Sequence, residues 1–492
     1  MNILLVYPET PSTFWSFKNA LRFISKKSSE PPLGLLTIAA LLPEKWNKKL
    51  IDMNVFKLKD KHIQWADFVF LSGMDVHRAS FLQVIKRCNE LGTKIVAGGP
   101  MVTISPNNFL GIDHFILNEA EITLPLFLKD LENGTPKKIY RTESFPDITQ
   151  SPVPRWNLLD KSKYANMSLQ YSRGCPFNCE FCLITTLNGH KPRTKNTDQF
   201  LAELNSLYQE GWRGSVFIVD DNFIGNKKKL KADLLPALIQ WSKEKEYPFS
   251  FITEVSINLA DDEELIKLMV KAGFNHAFIG IETPNNSSLA ECGKKQNQNR
   301  DMVESVKKLH RHGLRISGGF IVGFDNDPIN IFEQQIGFIQ KSGIVTAMVG
   351  LLNAPSGTRL AQRLKSENRL LDHWSGNNMD GMVNFIPKMN YPKLMRGYKK
   401  ILQTIYSPGI YYQRVKTFLQ EYHPPFPKAT KLTLSDLTAF FKSIWILGVW
   451  EKGKLYYWKL LFFSLFKHPQ KFSMAITLAI YGFHFRKIIK TI

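Results

Sequence analysis

Three of the five cysteines in this 492-residue chain fall inside ten residues, Arg173-Gly174-Cys175-Pro176-Phe177-Asn178-Cys179-Glu180-Phe181-Cys182. The spacing, Cys-x3-Cys-x2-Cys, brings three thiolates close together, whereas a fully ligated iron–sulfur cluster takes four. Held by Cys175, Cys179 and Cys182, a [4Fe–4S] cube would keep one iron open to another ligand. A structural zinc site wants four nitrogen or sulfur ligands, usually as two pairs, and no second cysteine pair follows. Disulfides suit small secreted chains, and plain burial of small apolar side chains is the remaining reading.

A second set of reactive types recurs where apolar runs end: Asp220-Asp221-Asn222, Glu254-Val255-Ser256, Glu282-Thr283-Pro284-Asn285 and Gly323-Phe324-Asp325. A carboxylate closing an apolar strand is costly unless it meets a ligand or a countercharge. For Asp221 and Asp325 the alternative is to cap the helix that follows.

These positions need a scaffold, and the hydrophobic pattern supplies one. Residues 1–135 alternate apolar runs at 2–7, 67–72, 94–97 and 114–117 with helix-like stretches at 33–42, 78–91 and 122–132. That is a doubly wound parallel α/β pattern, whose ligands bind at the carboxyl ends of the strands. The loops there are Tyr7-Pro8-Glu9-Thr10, Ser72-Gly73-Met74, Ala97-Gly98-Gly99-Pro100 and Asn118-Glu119-Ala120-Glu121. Gly98-Gly99-Pro100 would let a large planar ligand approach the backbone, or is a plain tight turn. The first strand lacks a following G-x-G-x-x-G, which argues against a dinucleotide site. Four prolines make 136–165 a linker.

From 166 to 370, strands near 215–220, 249–254, 276–282, 315–323 and 344–351 alternate with helices at 198–210, 229–244, 261–272, 299–312 and 329–342. With the cysteine strand they make a six-stranded partial barrel whose site lies at the carboxyl rim. Cys88 is expected on a helix facing the N-terminal core, and Cys292 in a loop, structural or reactive.

The formal charge is +21, and residues 391–492 carry 17 Lys/Arg against Glu421, Asp436 and Glu451, which is +14. Such a segment expects an anionic partner. Past about residue 370 the pattern is helical, aromatic and basic, with Tyr411-Tyr412, Trp445, Trp450, Tyr456-Tyr457-Trp458 and Phe462-Phe463 among lysines. The longest uncharged run, Phe472–Phe485, is short of the ~20 residues of a spanning helix. Two readings stay open: helices lying in a membrane interface, or a helical cap with a solvated basic face. Nucleic acid fits less well, because the aromatics sit inside apolar runs and no RNA-binding module is visible. Sparse cysteine and an N-terminus that reads as a strand, not a signal peptide, point to the cytoplasm.

With Phe181 just before Cys182, the cysteine motif resembles the signature of the radical S-adenosylmethionine (SAM) enzymes. The resemblance implies a cluster on Cys175, Cys179 and Cys182, SAM on its open iron, a 5'-deoxyadenosyl radical from reductive SAM cleavage, and electrons from a flavodoxin or ferredoxin. It also implies that Phe181, Asp221 (toward the SAM ammonium), Glu254 and Ser256 (toward ribose or carboxylate) and Glu282 contact SAM, with Gly318-Gly319-Phe320-Ile321-Val322-Gly323 near adenine. The preceding α/β segment looks like the cobalamin-binding domain of B12-dependent radical SAM enzymes, which implies corrin contacts from Ser72, Gly73, Met74, Gly98, Gly99 and Glu119.

Many such domains carry Asp-x-His-x-x-Gly after the first strand; here Glu9-Thr10-Pro11-Ser12 has no histidine. His77 either approaches cobalt or caps a helix, and cobalt without a protein lower ligand is expected. Taken whole, the chain resembles the group with hopanoid C-2 methylases and bacteriochlorophyll side-chain methylases, notably in Val219-Asp220-Asp221-Asn222-Phe223-Ile224-Gly225-Asn226 and Gly280-Ile281-Glu282-Thr283-Pro284-Asn285. The resemblance implies methylation of an unactivated carbon of a large hydrophobic substrate, a polycyclic lipid or a tetrapyrrole, by way of methylcobalamin. The alternatives are a cyclisation or rearrangement on the same cofactors, or RNA modification.

Overall fold

The computed structural model describes residues 1–371, 375–377, 379–424 and 434–492. Its N-terminal sheet holds β1 (Asn2–Tyr7), β2 (Asn47–Asp52), β3 (Phe68–Ser72), β4 (Lys94–Gly98), β5 (His114–Ile116) and β6 (Ile139–Tyr140). All pairs are parallel, in the order β2-β1-β3-β4-β5-β6. Apolar layers cover both faces, with Leu4, Val69, Phe81 and Cys88 on one and Ile3, Phe70, Val96 and Phe127 on the other. Burial on both faces is why β1, β3, β4 and β5 read as continuous apolar runs. β2 does not, because this edge strand is written Asn-Lys-Lys-Leu-Ile-Asp and buries only its last residue fully. The short β6 lies in the segment expected to be all linker.

The barrel sheet is also fully parallel, ordered β14-β13-β12-β11-β10-β7. Its strands are β7 (Asn166–Leu169), β10 (Gly214–Ile218), β11 (Phe249–Glu254), β12 (Phe274–Glu282), β13 (Arg315–Val322) and β14 (Thr346–Leu351). Between β7 and β10 a two-stranded antiparallel hairpin, β8 (Ser172–Arg173) with β9 (Arg193–Thr194), flanks the cysteine loop. Alternate residues turn outward onto the helices: Phe251, Ala277, Ile279, Ile316 and Val349 are buried there. The others turn into the barrel, where His276 Nε2 meets Ser317 Oγ at 2.7 Å and a Cβ on Gly319 would meet the Phe278 ring at 2.9 Å. Asp262 caps its helix by accepting from Leu265 N–H, as the run of acids there suggested.

The C-terminal helices continue the barrel core. Tyr406 donates to Ala347 O on β14, Tyr411 donates to Leu478 O, and Arg414 is fully buried beneath them. Residues after β1 also reach this region. Phe17 stacks on His484 at 5.2 Å, His484 Nε2 lies 3.1 Å from Phe14 O, and Trp15 packs on Phe278 at 4.9 Å. The loop that lacks the expected histidine therefore leaves its own sheet and tethers the N-terminal domain to the barrel and the last helix. No helix among the described residues is long and apolar enough to cross a membrane.

Candidate active site

The cysteine loop is fixed from both sides. Asp220, at the end of β10, accepts from Tyr171 N–H, Ser172 N–H and Ser172 Oγ–H at 2.6 to 2.8 Å. Burial nevertheless pushes its carboxyl up to about 7. Asp221 Oδ2 accepts from Gly174 N–H (2.8 Å) and Asn188 Nδ2 (2.9 Å), which holds the residue before Cys175. On the far side Arg363 grips Glu180, between the second and third cysteines, with two hydrogen bonds of 2.7 and 3.1 Å. Leu360 N–H donates to Glu180 O, and Glu180 N–H donates to Cys292 O.

Burial raises the pKa of all three thiols, Cys182 to about 12, and each of the three is further raised or lowered by its charged neighbours. Cys175 and Cys182 both feel the charge of Cys179, and backbone N–H groups of Phe177 and Ile184 point at the first and third. Three thiolates in such a place would need a cationic partner, and N–H donors suit cluster sulfurs. Among the described residues no three His, Cys, Asp or Glu side chains surround one point as the ligands of a single ion do.

The rim carboxylates divide by partner. Glu254, beside Phe278 in the sheet register, has no hydrogen-bond or ion-pair partner among the described residues, and burial with the nearby Asp221 charge pushes its carboxyl to about 7. Ser256 belongs to a local network instead: its hydroxyl donates to Asn258 (2.6 Å) and receives Asn222 Nδ2 (3.2 Å). Glu282 is a buried non-glycine residue at φ 63°, and it forms a buried ion pair with Lys294. Gly280 is required beside it, because a Cβ there would collide with both charged groups. Burial would lower the pKa of Lys294, but Glu282 and Cys179 outweigh it and hold the ammonium charged. Its charge reaches Glu254 and all three thiols.

Two expectations at this rim differ in the structure. Asp325 turns away to Arg363 and Arg369 (3.0 and 2.6 Å); burial opposes its charge, but the arginines prevail and hold it at about 2. Phe181 places its ring in a satellite core, 6.3 Å from Phe324. Cys292, expected in a loop as either structural or reactive, is buried in that core, which pushes its thiol to about 12 and fits the structural alternative.

At the N-terminal rim, Ser72, Gly98 and Gly99 line an apolar cleft with Leu35, Ile38 and Leu124. Gly99 sits at φ 92°, and a Cβ there would lie 2.5 Å from Ser72 Oγ. The combination of left-handed backbone and close approach admits only glycine. The cleft lies at the carboxyl ends of β3 and β4, where ligands of parallel sheets enter. Gly73 is buried beside it, and Met74 is half exposed.

His77 is not free for metal. Its Nδ1 accepts from Met74 N–H at 3.0 Å, so Nε2 carries the proton and donates to Thr10 Oγ1 at 3.0 Å. Burial lowers its pKa to about 4; the ring closes the short turn Asp75–His77 by accepting from Met74 N–H and makes no side-chain bond to the helix Arg78–Glu90 that follows.

Glu119, expected at the corrin, is instead committed to joining the domains. Its carboxylate accepts from Arg173 (2.6 Å) and from Arg193 (2.6 and 3.1 Å), while Glu121 accepts from Arg173 (2.8 and 3.1 Å). Burial opposes the charge on Glu121, but Arg173 and the Ser151 hydroxyl outweigh it and hold the group at about 2. Arg173 stands two residues before Cys175, so this clasp ties one rim to the other. A polar cleft between them is lined by Asn118, Glu119, Arg141, Phe145 and Thr186. Sequence reasoning missed Lys294, Arg193 and Arg363. The one signal available was that buried carboxylates demand countercharges, which does not say which cation supplies them.

Comparison with known proteins follows the same division. Residues 22–128 match the B12 binding domain, 169–339 the Radical SAM superfamily, and 358–492 a Domain of unknown function (DUF4070). An uncharacterised methyltransferase of Synechocystis sp. is 42% identical over all of this chain and 93% of its own length. The hopanoid C-2 methylase of Rhodopseudomonas palustris is 33% identical over 93% of this chain and 88% of its own. Among solved structures, the radical S-adenosylmethionine methyltransferase TsrM of Kitasatospora setae, with cobalamin and a [4Fe-4S] cluster bound, superposes with a TM-score of 0.66 at 13% identity, over 97% of this chain and 98% of its own. The chain is an enzyme, and it belongs to the cobalamin-dependent radical SAM methyltransferases.

Proposed function

We propose that this enzyme methylates an unactivated carbon of a large hydrophobic molecule, a polycyclic lipid of the hopanoid kind. The observation that carries the reading is the joint between the rims. The thiol loop and the glycine cleft are tied by Arg173 to Glu119 and Glu121, and the barrel mouth beside them is walled by aromatic Trp15 and Phe278. Bound there, the cluster with SAM supplies a carbon-centred radical and cobalamin supplies the methyl group.

The chain's own residues then have distinct tasks. Cys175, Cys179 and Cys182 hold the cluster, with Lys294 balancing thiolate charge. Glu254, without a protein partner, takes the SAM ammonium or ribose. Asp221 keeps one oxygen on the cysteine loop and offers the other. Ser256 orients the Asn222 turn, and Glu282 with Lys294 shapes the floor. Gly98, Gly99 and Ser72 would receive the cobalamin, while His77 stays bonded to Met74 N–H and Thr10 Oγ1. A flavodoxin or ferredoxin delivers the electron.

The lipid reading is supported by the extent of likeness to the hopanoid C-2 methylase and by the aromatic barrel mouth. The test is anaerobic turnover of reconstituted enzyme with a hopanoid. A product heavier by one methylene supports the reading. Turnover of a tetrapyrrole alone, or a product of unchanged carbon count, refutes it.

A further inference from the structure

Among the described residues, ten of the 25 large apolar side chains that are exposed lie between 437 and 466. They form rows on two helical segments. Leu437, Phe441, Trp445 and Val449 recur every four residues along Leu434–Trp450, with Phe441 and Trp445 exposed by 64% and 60%. On Lys454–Lys467, Trp458, Phe462 and Phe466 stack in sequence at 5.9 and 6.3 Å, and Phe466 is 77% exposed. The Trp458 indole donates to Gly448 O, which joins the two segments, and Trp450 at the bend is 72% exposed. Soluble surfaces rarely gather so much apolar area without a partner.

Charge identifies the partner. Lys452, Lys454, Lys459 and Lys467 are exposed among these rows and have no ion-pair partner among the described residues. The one acid between residues 437 and 492, Glu451, faces Arg486. Aromatic and leucine side chains interleaved with unpaired lysines match the interface of a bilayer with anionic headgroups. A nucleic acid would meet the lysines but leave Phe441, Leu455 and Phe466 in water. A second copy would bring four more lysines against these four.

We propose that the helices Leu434–Lys467 dock the enzyme on an anionic phospholipid bilayer, with the aromatic rows at headgroup depth and the lysines on the lipid phosphates. The proposal shares with the proposed function only the idea of a lipid-like substrate, and its test reads no turnover, so the two can fail separately.

The full chain is sedimented with vesicles of phosphatidylcholine alone and with added phosphatidylglycerol. Two variants accompany it, Trp450→Ser/Phe466→Ser and Lys452→Glu/Lys454→Glu/Lys459→Glu/Lys467→Glu. All of these positions are exposed, and an unchanged thermal midpoint confirms folding. The expected result is sedimentation that needs phosphatidylglycerol and weakens with salt. The apolar variant should bind at least about tenfold more weakly, and the charge-reversed variant about a hundredfold more weakly. The proposal is overturned if the chain stays in solution with both vesicles, if neither variant weakens binding, if the apolar variant instead dissolves a dimer, or if RNA rather than lipid is retained.

Discussion

At the carboxyl edge of the N-terminal sheet the half-buried Ser72, Gly98 and Gly99 line an apolar cleft, and the nearby histidine has both ring nitrogens engaged. At the carboxyl edge of the barrel the groups are thiols and carboxylates, several of them buried: Cys175, Cys179, Cys182, Asp220, Glu254 and Glu282, with Lys294 among them. The two sheets have the same strand number and direction. A parallel sheet thus fixes where a ligand enters but not how it is held. One rim works by shape, through missing side chains; the other works by charge, through groups that are costly to bury unless a ligand completes them.

The contrast breaks most visibly at Lys294. Lys294→Met leaves Glu282 charged and buried, at a cost of roughly 3–5 kcal/mol. It also removes the cation that offsets the thiolates. Iron retention and the thermal midpoint should both fall, while cobalamin uptake persists in whatever fraction stays folded. Loss of cobalamin uptake with iron intact would contradict the division of labour.

Next comes the clasp. Arg173→Met should destabilise by roughly 2–4 kcal/mol, since Arg193 still serves Glu119 but Glu121 loses its partner. The pH response gives the sign. In the native protein Glu121 titrates near 2 against an ordinary 4.5, so its contribution is present above about 4.5 and lost as pH falls toward 2. In the variant that acid-side loss should shrink. Denaturant midpoints between pH 2.5 and 6 for both proteins check it.

Glu254 is a smaller and sharper case. Its carboxyl is held near 7, so the empty site binds a cation best above that pH and progressively less as pH falls. Isothermal titration of reconstituted enzyme should show SAM affinity rising between pH 6 and 8, and Glu254→Gln should flatten the slope and cost about tenfold at pH 8.

The smallest effect belongs to His77. His77→Ala removes two hydrogen bonds and should cost about 1–2 kcal/mol, with the optical spectrum of bound cobalamin unchanged. The neutral ring has its pKa depressed from 6.5 to about 4, so its share of stability is full above 6.5 and lost as pH falls toward 4. A shifted cobalamin spectrum in His77→Ala would mean that the histidine reaches cobalt after all.

Much of this was legible in the sequence, for a physical reason. Strands buried on both faces read as apolar runs, which located β1, β3, β4 and β5; burial alternates along β10 and β11, yet the barrel strands from β10 to β14 stay apolar enough to be located, and clustered thiols and strand-end acids marked the rim. β2 escaped because an edge strand with lysines has no such run. Arg193 and Arg363 escaped because their ion pairs join residues far apart in the chain, Arg363 meeting Glu180 across 183 positions; Lys294 is only 12 positions from Glu282 and escaped because a lysine in a polar stretch carries no sign that it is buried. The partners that Glu119 has in the structure, Arg173 and Arg193, lie 54 and 74 positions away and were hidden by that separation. For His77 the sequence admits either a ligand or a cap, and the positions of Met74 N and Thr10 Oγ1, which engage both ring nitrogens, show a ring that closes the turn before the helix.

The most direct test of the two-rim account is metal content after anaerobic reconstitution with iron, sulfide and hydroxocobalamin. The unaltered chain, Cys175→Ala/Cys179→Ala/Cys182→Ala and Gly99→Val are compared. The account predicts about four iron and about one cobalt per unaltered chain, cobalt without iron in the cysteine variant, and iron without cobalt in Gly99→Val. Both metals lost together in each variant, or no cobalt bound to the unaltered chain, would contradict it.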